Sequence, residues 1–280
     1  MTIANGRRGR QGLSPGMTTK VRAASEAARR GIWTVAADVG GFYRMSGKTF
    51  KHVFRRPFEV EELVTQSWFI ARVALVPTIM VAIPFCVIVV FQLTQLMAEL
   101  GASDLSGAGA GMAVIREIGP LVSVLVVAGA GGTAICADLG ARKIREEIDA
   151  VEVLGLDPVQ RLVVPRVIAS TLVALALNGI VTVVGLTGSF LFTVLVQNAS
   201  AGQFVASLTL LVNLVDFLVS ELKAAVFGLL AGLVACYLGI KAKGGPKGVG
   251  DAVNQTVVFS FMLLFLANSI ISAVFLQSKY

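Results

Sequence analysis

Histidine is almost missing from this 280-residue chain: His52 is the only one. A zinc centre or a Ser-His-Asp triad, each of which needs imidazole as ligand or base, therefore has no material to be built from. Cysteine is nearly as scarce. Cys86, Cys136 and Cys236 all fall inside apolar runs. They have neither metal-ligand spacing nor the pattern of a disulfide framework, and read as small buried hydrophobes. A phosphate-binding loop is also lacking. Gly41-Phe-Tyr-Arg-Met-Ser-Gly47-Lys48-Thr49 resembles one, but five residues separate its glycines where the motif needs four, and its surroundings are basic and amphipathic rather than a buried strand. No cofactor is expected in this chain, and any ATP chemistry must come from a partner. Charge is short as well, at 15% of residues against about 25% in a soluble domain.

What fills the space is apolar: 55% of residues, with a mean hydropathy of +0.80. These residues come in long uncharged runs rather than at helix or strand period. Val73–Ala98, Ile118–Ala137, Val167–Val215, the run that begins after Lys223 and closes at Gly239, and Ala252–Ser278 are the candidates for spans, each of which needs roughly 20 residues to cross a hydrocarbon core. Pro77 and Pro84 lie inside the first, which membrane helices tolerate when neighbours satisfy the freed carbonyls. The charged segment before Val73 is too long for a cleavable secretory signal.

The net charge of +7 is unevenly placed. Residues 1–72 carry 13 basic residues. Segment 138–166 carries Arg142, Lys143, Arg145, Arg161 and Arg166, and loop 241–251 carries Lys241, Lys243 and Lys247. Basic residues in short loops mark the cytoplasmic side. This predicts an inner-membrane protein with its N-terminus inside, five spans and its C-terminus outside. The uncharged stretch from Val167 admits two readings. A hairpin turning near Gly185–Gly188 would push Lys241–Lys247 outside, against the charge rule. One long helix from about Val163 to Val196 obeys it, with Phe204–Leu218 near the outer interface or extending the fourth span. At the N-terminus, residues 1–31 read as a disordered basic tail. Residues 32–72 read as amphipathic interfacial helices, with Ile32, Val35, Val39, Phe42, Phe50 and Val53 at helical spacing. The membrane-spanning region is then 73–280.

Arg116–Pro158 carries the most information. Arg116-Glu117-Ile-Gly119-Pro120 stands at the mouth of the second span. The charged pair reads either as an interfacial anchor or as a polar patch at a substrate cavity. Gly129, Gly131 and Gly132 follow in a run of small residues that lets another helix approach closely. After Asp138, residues 142–156 read as an amphipathic helix: Ile144, Ile148, Val151 and Leu154 on one stripe, with Glu146, Glu147, Asp149 and Glu152 around it, Gly155 at its C-cap and Pro158 beyond. Five acids and no base lie between Glu146 and Asp157. Anionic lipid would repel such a face, so a groove on a soluble protein partner suits it better.

These residues also carry a resemblance. Glu117-x-Gly119-Pro120, Ala128-Gly129, Asp138-Leu-Gly140 and Glu146-Glu-Ile-Asp149-Ala-x-Glu-x-x-Gly155-x-Asp157-Pro158 resemble the signature of the MlaE/YrbE permease family. Gln66-Ser-Trp-Phe-Ile-Ala-Arg72, Val127–Asp138 and Arg161-Leu-Val-Val-Pro-Arg166 look most like its actinobacterial, Mce-associated branch. Ala130 departs from the pattern, standing where many members carry Arg. The resemblance implies an all-α polytopic fold with an N-terminal interfacial elbow helix, five transmembrane helices and a cytoplasmic coupling helix at about 142–156. It implies a non-catalytic subunit of an ABC lipid transporter, importing a fatty acid or sterol. Its partners would be a paralogous YrbE permease, an ATPase dimer that binds ATP and Mg, and Mce substrate-binding proteins, with no nucleic acid. By the same resemblance Arg116 and Glu117 lie near the lipid pocket. A membrane-embedded lipid-modifying enzyme would need convergent nucleophile, acid or metal groups, and a secondary transporter would need mid-membrane ion-binding carboxylates. The spans offer little of either.

Overall fold

The structure is a computed structural model that describes residues 37–53, 59–102, 105–196 and 200–279. The basic segment 1–31 lies outside the described residues, as do the ends of the expected interfacial stretch, 32–36 and 54–58. The chain divides into two compact units, residues 1–45 and 46–280. Residues 37–53 are helical (α1), 37–45 belonging to the first unit and 46–53 to the second. The near-miss phosphate motif at 41–49 is thus helix, not loop.

Helices joined by short turns make up the second unit among its described residues, and five of them are long and apolar enough to cross a membrane. They are α2 (Val60–Glu99), α3 (Gly107–Ile144), α5 (Val159–Leu195), α7 (Leu214–Lys241) and the span within α8 (Gly245–Lys279). Two short helices join them: α4 (Glu147–Val153) and α6 (Ala201–Leu211). Because α4 follows α3 and α6 follows α5, the bundle has an α4 end and an α6 end. This is the fold of a multi-pass membrane protein.

The spans start and stop differently from the bare apolar runs. α2 already begins at Val60, where Glu61 and Glu62 occupy the first turn and favour the positive end of the helix dipole. α3 begins well before Ile118 and contains two π turns, Val114–Ile118 and Val127–Gly131. Val159–Leu195 is one unbroken helix, so the hairpin reading fails. Gly185 instead lets α2 press in, since a Cβ there would stand 2.7 Å from Cys86 Sγ. Phe204–Leu218 splits: 201–211 forms α6, and 214–218 extends α7. Asn213 and Asp216, which interrupt the apolar pattern, are the capping box of α7.

One close helix contact joins α5 to α7. Gly228-Leu-Leu-Ala-Gly232 forms a small-x-x-x-small face, and a Cβ at Gly228 would lie 2.7 Å from the Ser170 carbonyl oxygen and 2.9 Å from Thr171 Cα. Ser170 Oγ donates to the Gly228 carbonyl at 2.9 Å across this seam. Among the three glycines expected to pack helices, a Cβ on Gly131 would meet Ile70 at 3.2 Å, and one on Gly132 would make ordinary contacts with α7 and α8. One on Gly129 would meet nothing within 4 Å. Gly228→Ala, which meets rigid backbone, is therefore expected to cost about 1–3 kcal/mol through overpacking. Gly129→Ala should not destabilise the chain. Thermal unfolding in detergent compares the two directly, and equal losses would contradict this packing.

Candidate functional site

Near the α6 end, four spans bring polar side chains to one place. The first π turn of α3 holds Arg116 and Glu117. Pro120 has no N–H, so the Arg116 carbonyl cannot receive its i→i−4 bond. Lys223 Nζ of α7 donates to that carbonyl at 3.0 Å and pairs with Glu117 Oε1 at 3.0 Å. Arg116 Nη2 meets Asp216 Oδ1 at 2.9 Å, while the other oxygen of Asp216 accepts the Asn213 backbone N–H at 3.0 Å. One carboxylate therefore both caps α7 and ties it to α3. From α8, Ser272 Oγ donates to Glu117 Oε1 at 3.3 Å. From α5, Asn178 Nδ2 donates to Ser220 Oγ and to Glu221 Oε1, each at 3.0 Å. Gly119 leaves room for this amide, because a Cβ there would stand 2.9 Å from Asn178 Oδ1.

The sequence put Arg116 and Glu117 at a span mouth. The earlier start of α3 places them within the helix instead, each paired to α7. Asp216, Glu221 and Lys223 were visible only as isolated charges flanking the fourth span. Asn178 sits in the middle of an uncharged stretch, where a lone amide gave no signal beyond its polarity.

A second charged assembly lies at the α4 end. Arg166, on α5, is fully buried; its Nη2 pairs with Asp138 Oδ2 of α3 at 2.7 Å, and its Nη1 lies 3.6 Å from Glu62 Oε1 of α2. Nη1 also donates to the Leu162 carbonyl at 2.8 Å, and Arg142 joins Asp138 at 3.3 Å. Glu59, the N-cap residue of α2, pairs with Arg161 of α5 at 3.3 Å, and His52 of α1 lies 3.7 Å from Asp157.

The helix expected over 142–156 is divided. Residues 142–144 complete α3, the chain turns at Glu146 with φ +60°, and α4 runs only from Glu147 to Val153. That φ costs an L-residue about 1–2 kcal/mol. Gly155, at φ +76°, closes α4 as expected: its N–H bonds the Glu152 carbonyl at 2.9 Å and Leu156 N–H bonds the Val151 carbonyl at 3.2 Å. The turn also divides the apolar stripe. Ile148 is buried in the bundle, Val151 is half-buried, and Ile144 is exposed on α3. Leu154 and its neighbour Val153 are 75% and 88% exposed. Glu146, Glu147, Asp149 and Glu152 are all exposed. Lys143 pairs with Asp149, and Arg145 Nε with Glu147 Oε1 at 2.6 Å. The hydrogen bond from Arg145 holds the Glu147 carboxyl below its ordinary range. Its small contribution to stability is present above the unfolded pKa and is lost as pH falls through the lowered one.

Among the described residues no group of histidine, cysteine and acidic side chains could hold a metal ion. Residues 63–274 match the family described as Permease MlaE. A probable ABC transporter permease protein of Synechocystis is 27% identical over 85% of this chain and 90% of its own length. One of Rickettsia typhi is 29% identical over 85% and 92%. The chloroplastic protein TRIGALACTOSYLDIACYLGLYCEROL 1 of Arabidopsis thaliana is 33% identical over 66% of this chain and 53% of its own length. With five membrane-crossing helices and a family match that runs from the first of them into the last, the chain belongs to the MlaE permease family.

Proposed function

We propose that this chain is the membrane subunit of an ABC-type lipid transporter, pairing with a second permease of the same family and driven by a separate ATPase dimer that binds ATP and Mg. The observation that carries the reading is the ion-paired cluster of Arg116, Glu117, Asp216 and Lys223 inside an apolar bundle. Paired charge within a membrane is costly and tends to mark a substrate path. The names of the bacterial relatives, ABC transporter permeases, supply the energy source, and the name of the plant relative is that of a glycerolipid. Arg142, Lys143, Arg145, Arg161, Lys241, Lys243 and Lys247 all belong to the α4 end, which by the charge rule is cytoplasmic. The α6 end then faces outward, toward Mce substrate-binding proteins. Import across the inner membrane, with a YrbE paralogue as second permease and a fatty acid or sterol as cargo, follows from the resemblance to the Mce-associated branch.

The test replaces Arg116 and Glu117 together by Ala, which removes one partner from each of two α3–α7 pairs. Lipid transport by the reconstituted complex should fall at least about tenfold, since one broken charge-assisted bond alone is worth roughly 1.5–3 kcal/mol. Co-purification of the ATPase should persist. Loss of assembly would make the pair an anchor, and unchanged transport would remove it from the path.

A further inference from the structure

The one histidine of the chain stands where a proton can make a contact. His52 lies on the part of α1 that belongs to the second unit, and it is only 8% exposed. Its Nδ1 is buried and has no hydrogen-bond partner among the described residues. Asp157 Oδ2 stands 3.7 Å away, beyond hydrogen-bond reach. A buried nitrogen left unpaired is unfavourable. Once the ring is protonated both its nitrogens donate, and a small closure brings this one to the about 2.7–2.9 Å of a charge-assisted bond.

Asp157 is already fixed from its other side. Its Oδ1 accepts the Val159 N–H at 2.9 Å, at the start of α5. It lies just beyond Gly155, which closes α4. A bond from His52 therefore ties α1 to the turn between α4 and α5. Among the described residues Asp157 is the only carboxylate within 4 Å of the His52 nitrogens. From α5, Arg161 bonds the Asp157 carbonyl through its N–H at 3.2 Å, and its guanidinium is paired at 3.3 Å with Glu59 at the N-cap of α2. On α1 itself Lys48 and Lys51 are exposed, and Arg55 and Arg56 lie outside the described residues.

We propose that His52 and Asp157 form a proton-operated latch between α1 and the turn that follows α4. Histidine is the side chain whose charge ordinarily changes between pH 5 and 8. A latch that holds the protonated ring is engaged in acid, and it is released as the pH rises and the ring loses its proton. Acidification on the side of α4 thus stiffens the support of that helix.

Hydrogen exchange read by mass spectrometry tests this on the complex purified with its partner subunits, at about pH 6 and about pH 8, either side of an ordinary histidine titration. Wild type and variant are compared at the same pH, so intrinsic exchange rates cancel. At the lower pH the amides of 46–53 and 155–160 should exchange about three- to fivefold faster in His52→Gln, whose side chain stays neutral. That is the upper range for an ion pair with one exposed partner. At the higher pH the difference should vanish. Asp157→Asn removes the charge but keeps an oxygen that can cap Val159, and it should behave as His52→Gln does. A difference of the same size at both pH values would make His52 a packing residue and overturn the latch. No difference at either pH would overturn it too, as would an Asp157→Asn protein that keeps the wild-type protection in acid.

Discussion

Arg166→Met is expected to destabilise the folded chain by about 3–5 kcal/mol, the usual cost of removing one partner from a buried ion pair. The guanidinium is fully buried, and its 2.7 Å contact with Asp138 is the shortest of its ties to α2 and α3. Without it, Asp138 keeps only the longer pair to Arg142, and Glu62 keeps the 3.0 Å hydrogen bond from Gln66. Most of the loss should come from the stranded carboxylate rather than from the missing attraction. Arg166→Met combined with Asp138→Asn should therefore recover a large part of it. The measurement is detergent thermal unfolding of the single and double variants. A double variant as unstable as the single one would mean that Arg166 acts through packing and not through the pair.

The second large effect concerns α4. Val153 and Leu154 are the most exposed large apolar side chains at that end, standing beside Glu147, Asp149 and Glu152. Burying a side chain of this size in a partner groove is worth roughly 1.5–3 kcal/mol, and a charge placed there would forfeit at least as much. Val153→Asp with Leu154→Asp should release the ATPase at least about a hundredfold more readily, on the sum of those two terms, while the permease still inserts and folds. Ile148→Asp makes a poorer test. Ile148 is 2% exposed within this chain, so a charge there would damage the fold whether or not a partner binds. Charge reversal at Glu147 or Glu152 should weaken binding much less, since exposed pairs contribute about 0–1 kcal/mol. Pull-down of the ATPase, read beside the unfolding temperature, separates coupling from folding. Full retention of the ATPase by the Val153/Leu154 double variant would show that α4 is not the docking segment.

Much of this was legible in the sequence because hydropathy is a local property. Runs without charge gave the number of spans, and the basic loops argued against a hairpin at Gly185. What stayed hidden depends on residues far apart in the chain. Arg166 reads as one more basic residue in a cytoplasmic-looking segment. Only folding brings it to Asp138, 28 residues earlier, and makes it a buried hub. Lys223 likewise reads as a stray loop charge until it meets Arg116 and Glu117, more than 100 positions away. The break at Glu146 escaped periodicity for a different reason: the apolar spacing runs smoothly from Ile144 to Leu154, and a left-handed φ at a glutamate leaves no mark in composition. For the glycines, small residues in a row show that close approach is possible but not which of them is approached. Gly129 stands open while Gly228 and Gly232, in a less conspicuous run, carry a tight seam between α5 and α7.

That this chain is the lipid-conducting half of an ATP-driven machine is what we propose. It is tested most directly by purifying the chain from its own membrane in mild detergent and reading protein partners and extractable lipid in the same sample by mass spectrometry. The predicted result is a nucleotide-binding ATPase in stoichiometric amount, a second permease of the same family, and bound lipid that leaves when ATP is added. A chain recovered without an ATPase, and moving its substrate in vesicles on an ion gradient alone, would contradict it.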